Sequence, residues 1–356
     1  MAGKIIEVEQ LFEIQHNRIL FDVRTPAEFA QGHIPGALNL PLFSNEERAV
    51  VGTIYKQQSP ELALLKGLEF AGAKMRWYVE EAQRISKSKE IAVHCWRGGK
   101  RSESMGWLLH QAGFDVMIVK GGYKNYRNFI HSYLAEQKAP FIILGGYTGS
   151  GKTEILHELI KSGEQVLDLE AIAHHKGSAF GALGEVPQPS VEQFENNLFE
   201  AYYKLNKNRR IWIEDESKAI GRVYIPDGFW RQMTHAPHIK LEIPLQARIQ
   251  HLVDIYANYP KAYLVESFTK IKKRLGGLHL NQALEALERN DFAEAARIGL
   301  VYYDKTYEYC LQNKTDATIF PFIAEHFDPK KIAADLIEFA AQMDGTLIYN
   351  DVNDFH

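Results

Sequence analysis

The sequence predicts an α/β protein built as two parallel-sheet domains, the second with a helical C-terminal part. Short apolar runs alternate with helical stretches in both halves, the pattern of strands joined by helical crossovers. Two of those runs lead into glycine-containing loops followed by helix, one at Cys95 and one at Gly146. A length of 356 residues exceeds one ordinary core and suits two.

Taken in order, residues 18–23 form a short strand-type run. Thr25-Pro26-Ala27-Glu28 then reads as a helix start, with Thr25 as N-cap, Pro26 in the first turn and Glu28 completing a capping box. Residues 90–94 are a second strand running into Cys95, and residues 102–112 a helix that Gly113 ends as C-cap. Residues 116–119 are a third strand, ending at Gly121-Gly122. The polar stretch 134–140, closing in Pro140, marks a boundary and gives domains 1–137 and 138–356. Beyond it come a strand at 141–144, a glycine-rich loop, a helix at 154–162 and strands at 165–169 and 210–214. From Gln246 to the end the pattern is mostly helical.

Composition excludes several classes. Apolar residues are 46% and charged residues 24%, as in water-soluble globular proteins, and no apolar run is long enough to span a bilayer. The first residues lack the apolar core of a secretion signal. Two cysteines, Cys95 and Cys310, make no disulfide framework, so a cytoplasmic setting is expected. No Cys/His cluster has zinc-site spacing, and no metal site is assigned. A net charge of -4 argues against a protein coated in basic charge. It leaves room for local patches, and two exist: Lys204, Lys207, Arg209 and Arg210, then Lys270, Lys272, Lys273 and Arg274.

The loop His94-Cys95-Trp96-Arg97-Gly98-Gly99-Lys100-Arg101-Ser102 places a cysteine between a strand end and a helix N-terminus. Such a loop turns backbone N–H groups inward, and the helix adds partial positive charge. Arg97, Lys100 and Arg101 add full charges, and the whole frame favours thiolate over thiol. Cys310, on a predicted helix without a basic frame, reads as structural. Together with Asp22-Val23-Arg24-Thr25-Pro26-Ala27-Glu28-Phe29, Gly32-His33-Ile34-Pro35-Gly36-Ala37 and Gly121-Gly122-Tyr123, this loop resembles rhodanese domains. One feature departs. The arginine stands six positions after the cysteine, at Arg101, and Lys100 holds the usual place. His-Cys-x5-Arg-Ser also matches the protein-tyrosine phosphatase signature, so the loop alone leaves chalcogen transfer and phosphatase chemistry open.

Gly146-Tyr147-Thr148-Gly149-Ser150-Gly151-Lys152-Thr153 fits the phosphate-binding P-loop at every fixed position, between a predicted strand and a predicted helix. Gly146, Gly149 and Gly151 let backbone N–H groups, Ser150 among them, approach phosphate oxygens. Lys152 supplies a charge and Thr153 a hydroxyl for Mg²⁺. Glu214, Asp215 and Glu216 end the strand at 210–214 and suit the acidic, metal-facing side of such a site. His174–181, polar and glycine-rich, suits a substrate loop.

In this order the two motifs resemble one family over essentially the whole chain, the bacterial tRNA 2-selenouridine synthases. The resemblance includes Ile213-Glu214-Asp215-Glu216-Ser217, Lys273-Arg274-Leu275-Gly276-Gly277 and Tyr303-Asp304-Lys305-Thr306-Tyr307. It implies an N-terminal rhodanese-like domain and a C-terminal P-loop NTPase-like domain. It implies a transferase acting on the wobble 2-thiouridine of tRNA. The sulfur is first alkylated with geranyl diphosphate, then replaced by selenium from selenophosphate, with Cys95 presenting selenium as a selenosulfide. A selenophosphate-producing enzyme is the implied donor source. The P-loop would hold the prenyl diphosphate, with nucleotide as the other candidate. Arg209, Arg210, Lys272, Lys273 and Arg274 become candidate tRNA phosphate contacts, and Trp212, Tyr302 and Tyr303 candidate stacking platforms. Two other readings stand beside it: a phosphatase or sulfurtransferase fused to a nucleotide-dependent kinase, and a non-catalytic P-loop RNA-binding regulator with a rhodanese adaptor.

Overall fold

A computed structural model describes residues 3–14, 17–312 and 318–343; Met1-Ala2 and the last thirteen positions, 344–356, lie outside the described residues. The chain divides into two compact units, Met1–Leu134 with Glu195–Glu200, and Ala135–Phe194 with Ala201–His356.

The first unit runs β1 (Lys4–Ile6), α1 (Val8–Ile14), β2 (Ile19–Asp22), α2 (Pro26–Gln31), β3 (Leu38–Asn39), α3 (Asn45–Gln57), α4 (Pro60–Gly72), α5 (Met75–Ile85), β4 (Glu90–His94), α6 (Lys100–Gln111), β5 (Asp115–Val119) and α7 (Gly122–Glu136). Its five strands are parallel in the order β1-β5-β4-β2-β3. The predicted capping box starts α2: Thr25 Oγ1 accepts from Glu28 N at 3.3 Å, and Glu28 Oε2 accepts from Thr25 N at 2.9 Å. Gly113, at φ +84°, ends α6, with Phe114 N donating to Leu109 O. The central strand β4 delivers Cys95, and the core beneath it includes Phe21, Val93, Met105 and Leu109.

The second unit runs β6 (Phe141–Gly146), α8 (Lys152–Lys161), β7 (Gln165–Leu167), α9 (Leu169–Ala173), the two ends of α10 (Val191–Tyr203, whose Glu195–Glu200 belong to the first unit), β8 (Ile211–Glu214), β9 (Ala219–Ile220), β10 (Val223–Tyr224), α11 (Asp227–His235), β11 (His238–Glu242), α12 (Leu245–Tyr256), α13 (Lys261–Lys270), α14 (Lys272–Leu275), α15 (Gly277–Glu288), α16 (Phe292–Gln312), β12 (Ile319–Ile323) and α17 (Pro329–Met343). A second five-stranded parallel sheet has the order β12-β11-β6-β8-β7. The region from Gln246 is mostly helical, with one strand the sequence reading did not include, β12, whose five residues pair along the edge of the sheet. Pro321 within it costs a backbone donor, which an edge strand tolerates. Helices α12 to α16 enclose a separate apolar cluster around Phe268, Ala283 and Ile298. Among the described residues no helix is long and apolar enough to cross a membrane.

Candidate active sites

In each unit the motif loop leaves the carboxyl end of the central strand, where parallel α/β sheets bind ligands. In the first unit the turn after β4 folds tightly against the start of α7. Tyr123 N donates to Cys95 O at 2.8 Å and Lys124 N to Trp96 O at 2.9 Å. The fit requires glycine at two places. A Cβ on Gly122 would lie 2.3 Å from Cys95 O, and one on Gly98 2.7 Å from Gly121 N. Both residues also have positive φ.

Cys95 is buried, 3% exposed. Its Sγ lies 3.3 Å from Ser102 Oγ, which, while it donates to Gly99 O at 3.0 Å, can accept from the thiol. A cavity of 740 Å³ opens at the cysteine. Arg97, Lys100 and Arg101 line it, as do the apolar Val51, Tyr55, Leu64 and Leu68 of α3 and α4. Arg97 and Lys100 are exposed, whereas the Arg101 guanidinium is engaged by Glu28, with Nη1 to Oε2 at 2.7 Å. Burial works to raise the Glu28 carboxyl, but the bonds from Arg101 and Thr25 carry it below the usual range. Glu28 thus holds one edge of the guanidinium while Arg101 still lines the cavity with Cys95.

Beneath the loop lies a buried charged pair that the sequence reading used only as signature. Arg24 Nη2 donates to Asp22 Oδ2 at 2.6 Å and to Gly32 O at 2.7 Å, and its guanidinium sits 3.8 Å over the Tyr123 ring. His94 Nε2 is 3.7 Å from Asp22 Oδ2. Burial, its largest influence, pushes the His94 imidazole below its ordinary range, so it stands neutral at pH 7. The alternating Asp22-Val23-Arg24 at a strand end was the available signal.

In the second unit Gly146, Gly149 and Gly151 have φ of +156°, +80° and +69°. A Cβ on Gly151 would strike Phe327 at 2.2 Å, and one on Gly146 would meet Leu241 O at 2.9 Å. Lys152 Nζ donates to Gly146 O at 3.0 Å. The helix α8 starts at Lys152 and aims its N-terminal N–H groups into a chamber of 510 Å³. Lys176, Gly177 and Ser178 of the predicted substrate loop line it, as do Glu214, Asp215 and Glu216.

The carboxylates there are crowded. Thr153 Oγ1 donates to Glu170 Oε2 at 3.3 Å, and Glu170 N donates to Glu214 Oε1 at 2.7 Å. Glu214 is 1% exposed, and its Oε2 has no partner. Burial first, then Asp168, Glu170 and Glu216, hold Glu214 well above the usual carboxyl range. Burial also raises Glu170 and Glu216, which hydrogen-bond to each other. Among the described residues no group of three His, Cys, Asp or Glu is arranged to hold a metal ion. Sequence reasoning missed Arg248 and named Asp304 only within a family-like segment: Arg248 donates to Thr148 O at 3.1 Å and to both Asp304 oxygens at 2.8 and 2.7 Å. Arg248 reaches Thr148 of the P-loop 100 positions away and Asp304 of α16 56 positions away, separations at which no local signal exists.

The candidate RNA-facing residues separate. Arg209 and Arg210 precede β8, at the sheet end opposite the P-loop. Arg210 bonds Glu164 at 2.7 and 2.8 Å, and Arg209 donates to Gly163 O at 2.8 Å. Lys207 caps the end of α10 by donating to Tyr202 O and Leu205 O, and burial pushes its amine down to about 8. Trp212 as a stacking platform is corrected: it is fully buried in β8 with Nε1 donating to Glu164 at 2.9 Å. Lys272, Lys273 and Arg274 are exposed on α14, and Arg274 donates to Tyr302 Oη at 3.2 Å. Tyr303 lines the P-loop chamber, accepts from Ala179 N, and has its phenol pushed up to about 12 by burial.

Comparison with known proteins adds the identity of the arrangement. Residues 139–326 match the family model described as tRNA 2-selenouridine synthase AAA domain, and residues 6–129 match the Rhodanese-like domain. The chain is 36% identical over 346 residues to the tRNA 2-selenouridine synthase of Nitrosomonas europaea, covering 83% of this chain and 89% of that protein. It is 35% identical over 339 residues to that of Shewanella frigidimarina, covering 85% and 91%. Among solved structures, a rhodanese-related protein from Thermoplasma volcanium aligns with 35% of this chain and 92% of its own, at 21% identity and a TM-score of 0.23. With both motif loops in place and relatives matched over nearly their full length, the chain belongs to the tRNA 2-selenouridine synthase family.

Proposed function

We propose that the protein converts wobble 2-thiouridine of tRNA to 2-selenouridine in two steps, one for each loop. The observation that carries the reading is that a diphosphate cradle and a basic, cysteine-containing chamber occur together in a member of this family.

In the first step the uridine sulfur attacks C1 of geranyl diphosphate. A C–S bond forms, the C–O bond breaks, and diphosphate leaves with its charge held by the P-loop N–H groups and Lys152. Loss of the N3 proton leaves a neutral S-alkyl uridine. Mg²⁺ bound with the diphosphate would draw on its oxygens, water, the Thr153 hydroxyl and the unpaired Glu214 Oε2. It would supply charge neutralisation.

In the second step selenium of selenophosphate attacks C2, a C–Se bond forms, and the C–S bond breaks. The sulfur departs as geranyl thiol, which a bare sulfur anion could not match as a leaving group. Water then cleaves the Se–P bond and releases phosphate. Selenium in selenophosphate is already at the selenide level, so a Cys95 selenosulfide formed from it would need an added oxidant. We therefore assign Cys95 to contact with selenium and the departing thiol, with Arg97 and Lys100 on the phosphate. Selenophosphate from a separate enzyme is the donor in this reading, and the cytoplasm its setting.

Mass spectrometry of tRNA nucleosides from cells carrying wild type, Cys95→Ala or Lys152→Ala tests it. Cys95→Ala should abolish 2-selenouridine while geranylated 2-thiouridine accumulates, and Lys152→Ala should abolish both. Normal selenouridine in both variants would refute the assignment.

A further inference from the structure

Beside the P-loop chamber lies a second compartment of 80 Å³, lined mainly by α12, α13, α15 and α16. Its wall is apolar, with Phe268, Leu287, Ala296, Gly299 and Leu300 among its lining. Thr148, Ser178, Leu252, Tyr256 and Tyr303 line both spaces and so form the mouth between them. A phosphate cradle whose side door is greasy suits a ligand with a charged head and a hydrocarbon tail.

We infer that this compartment takes the distal isoprene unit of the prenyl diphosphate, and that Gly299 and Ala296 on α16 set the length of chain the enzyme accepts. The inference rests on the prenyl-diphosphate reading of the P-loop given above. Its size fits. One water-sized group takes about 10–15 Å³ of such space, so the compartment holds roughly five to eight heavy atoms, one isoprene unit and little more. The head group and first isoprene unit remain in the 510 Å³ chamber. A third isoprene unit has no room in the compartment.

Its chemistry fits as well. Each buried methylene is worth roughly fourfold in affinity. Five carbons moved from water into this wall therefore favour a ten-carbon over a five-carbon donor by on the order of 10²–10³-fold. Gly299 is buried on α16, and a Cβ there would lie 3.4 Å from the Phe268 ring edge, in ordinary contact. A larger side chain at that point enters space the tail would occupy.

The test uses the full chain and a 2-thiouridine RNA oligonucleotide, with kcat/KM measured for dimethylallyl, geranyl and farnesyl diphosphates. Wild type should prefer geranyl over dimethylallyl by at least 100-fold and use farnesyl poorly. Gly299→Leu and Ala296→Leu should each cut the geranyl-to-dimethylallyl ratio by 30-fold or more. Leu287→Ala, which enlarges the compartment, should raise the farnesyl-to-geranyl ratio at least tenfold, and it keeps the question open to measurement if the larger substitutions misfold. Ratios unchanged in the variants, or all donors lost in equal proportion, would overturn the compartment assignment and leave the prenyl reading standing. No transfer by wild type from any of the three would overturn both.

Discussion

Replacing Asp304 with leucine would leave the Arg248 guanidinium, whose side chain is 5% exposed, without its counter-charge beside the P-loop. Two bonds of 2.7 and 2.8 Å disappear, and only the one to Thr148 O remains. Breaking a buried ion pair on one side costs about 3–5 kcal/mol. Asp304 is itself 28% exposed, so water reaches part of the pair and the lower end, about 3 kcal/mol, applies. Arg248→Met is milder, about 1.5 kcal/mol, because the stranded carboxylate can be hydrated. Because the two losses share one interaction, the double variant should fall short of their sum by about 2 kcal/mol. At roughly 2–4 °C per kcal/mol for a unit of this size, Asp304→Leu lowers the melting transition of the second unit by about 6–12 °C. Scanning calorimetry with the three variants gives the cycle. The loosened Thr148 should also raise KM for the prenyl donor, while alkylation of Cys95 by iodoacetamide stays at the wild-type rate. Asp304→Leu within about 0.5 kcal/mol of wild type, or strictly additive variants, would refute this account of the P-loop's anchor.

Two further outcomes follow from the same geometry. Glu214 has its proton held more tightly folded than unfolded, through burial and then Asp168, Glu170 and Glu216, so its charge destabilises the fold above the folded pKa and this penalty fades as pH falls toward the unfolded value. Glu214→Gln should therefore melt higher than wild type at pH 8 yet lose that margin by pH 5, with prenyl transfer impaired; a pH-independent difference would contradict the charge argument. For RNA, alanine at Lys272, Lys273 and Arg274 together should reduce the slope of log affinity against log salt by about 2, at roughly 0.7–0.9 per phosphate contact. Arg210→Ala should leave that slope unchanged and instead destabilise the fold through the loss of its Glu164 bonds, as filter binding and calorimetry would register.

Features whose cause is local were legible in the sequence. Thr25 and Glu28 cap a helix within four positions, and the Cys95 and Gly146 loops carry their glycines and cations in one short run. Features whose cause is distant were not. Trp212 looked available for stacking because a parallel strand buried on both faces does not alternate in polarity. The strand β11, His-Ile-Lys-Leu-Glu, alternates polar and apolar residues as a strand does, but nothing local marks it as the neighbour of β6. Pro321 hides β12. Arg101 lines the cysteine cavity as read, but its ion pair with Glu28, 73 positions away, carries no local signal. The ion pair of Arg248 with Asp304 belongs to the same class.

In the proposed reaction the labour is divided, with prenylation at the P-loop and selenium entry at Cys95. Its most direct test is the mass of the product when purified Cys95→Ala protein meets a 2-thiouridine oligonucleotide, geranyl diphosphate and selenophosphate together. The reaction should stop at the S-geranyl nucleoside, formed at a rate close to wild type. Selenouridine formed at the wild-type rate, or no geranylation at all, would contradict it.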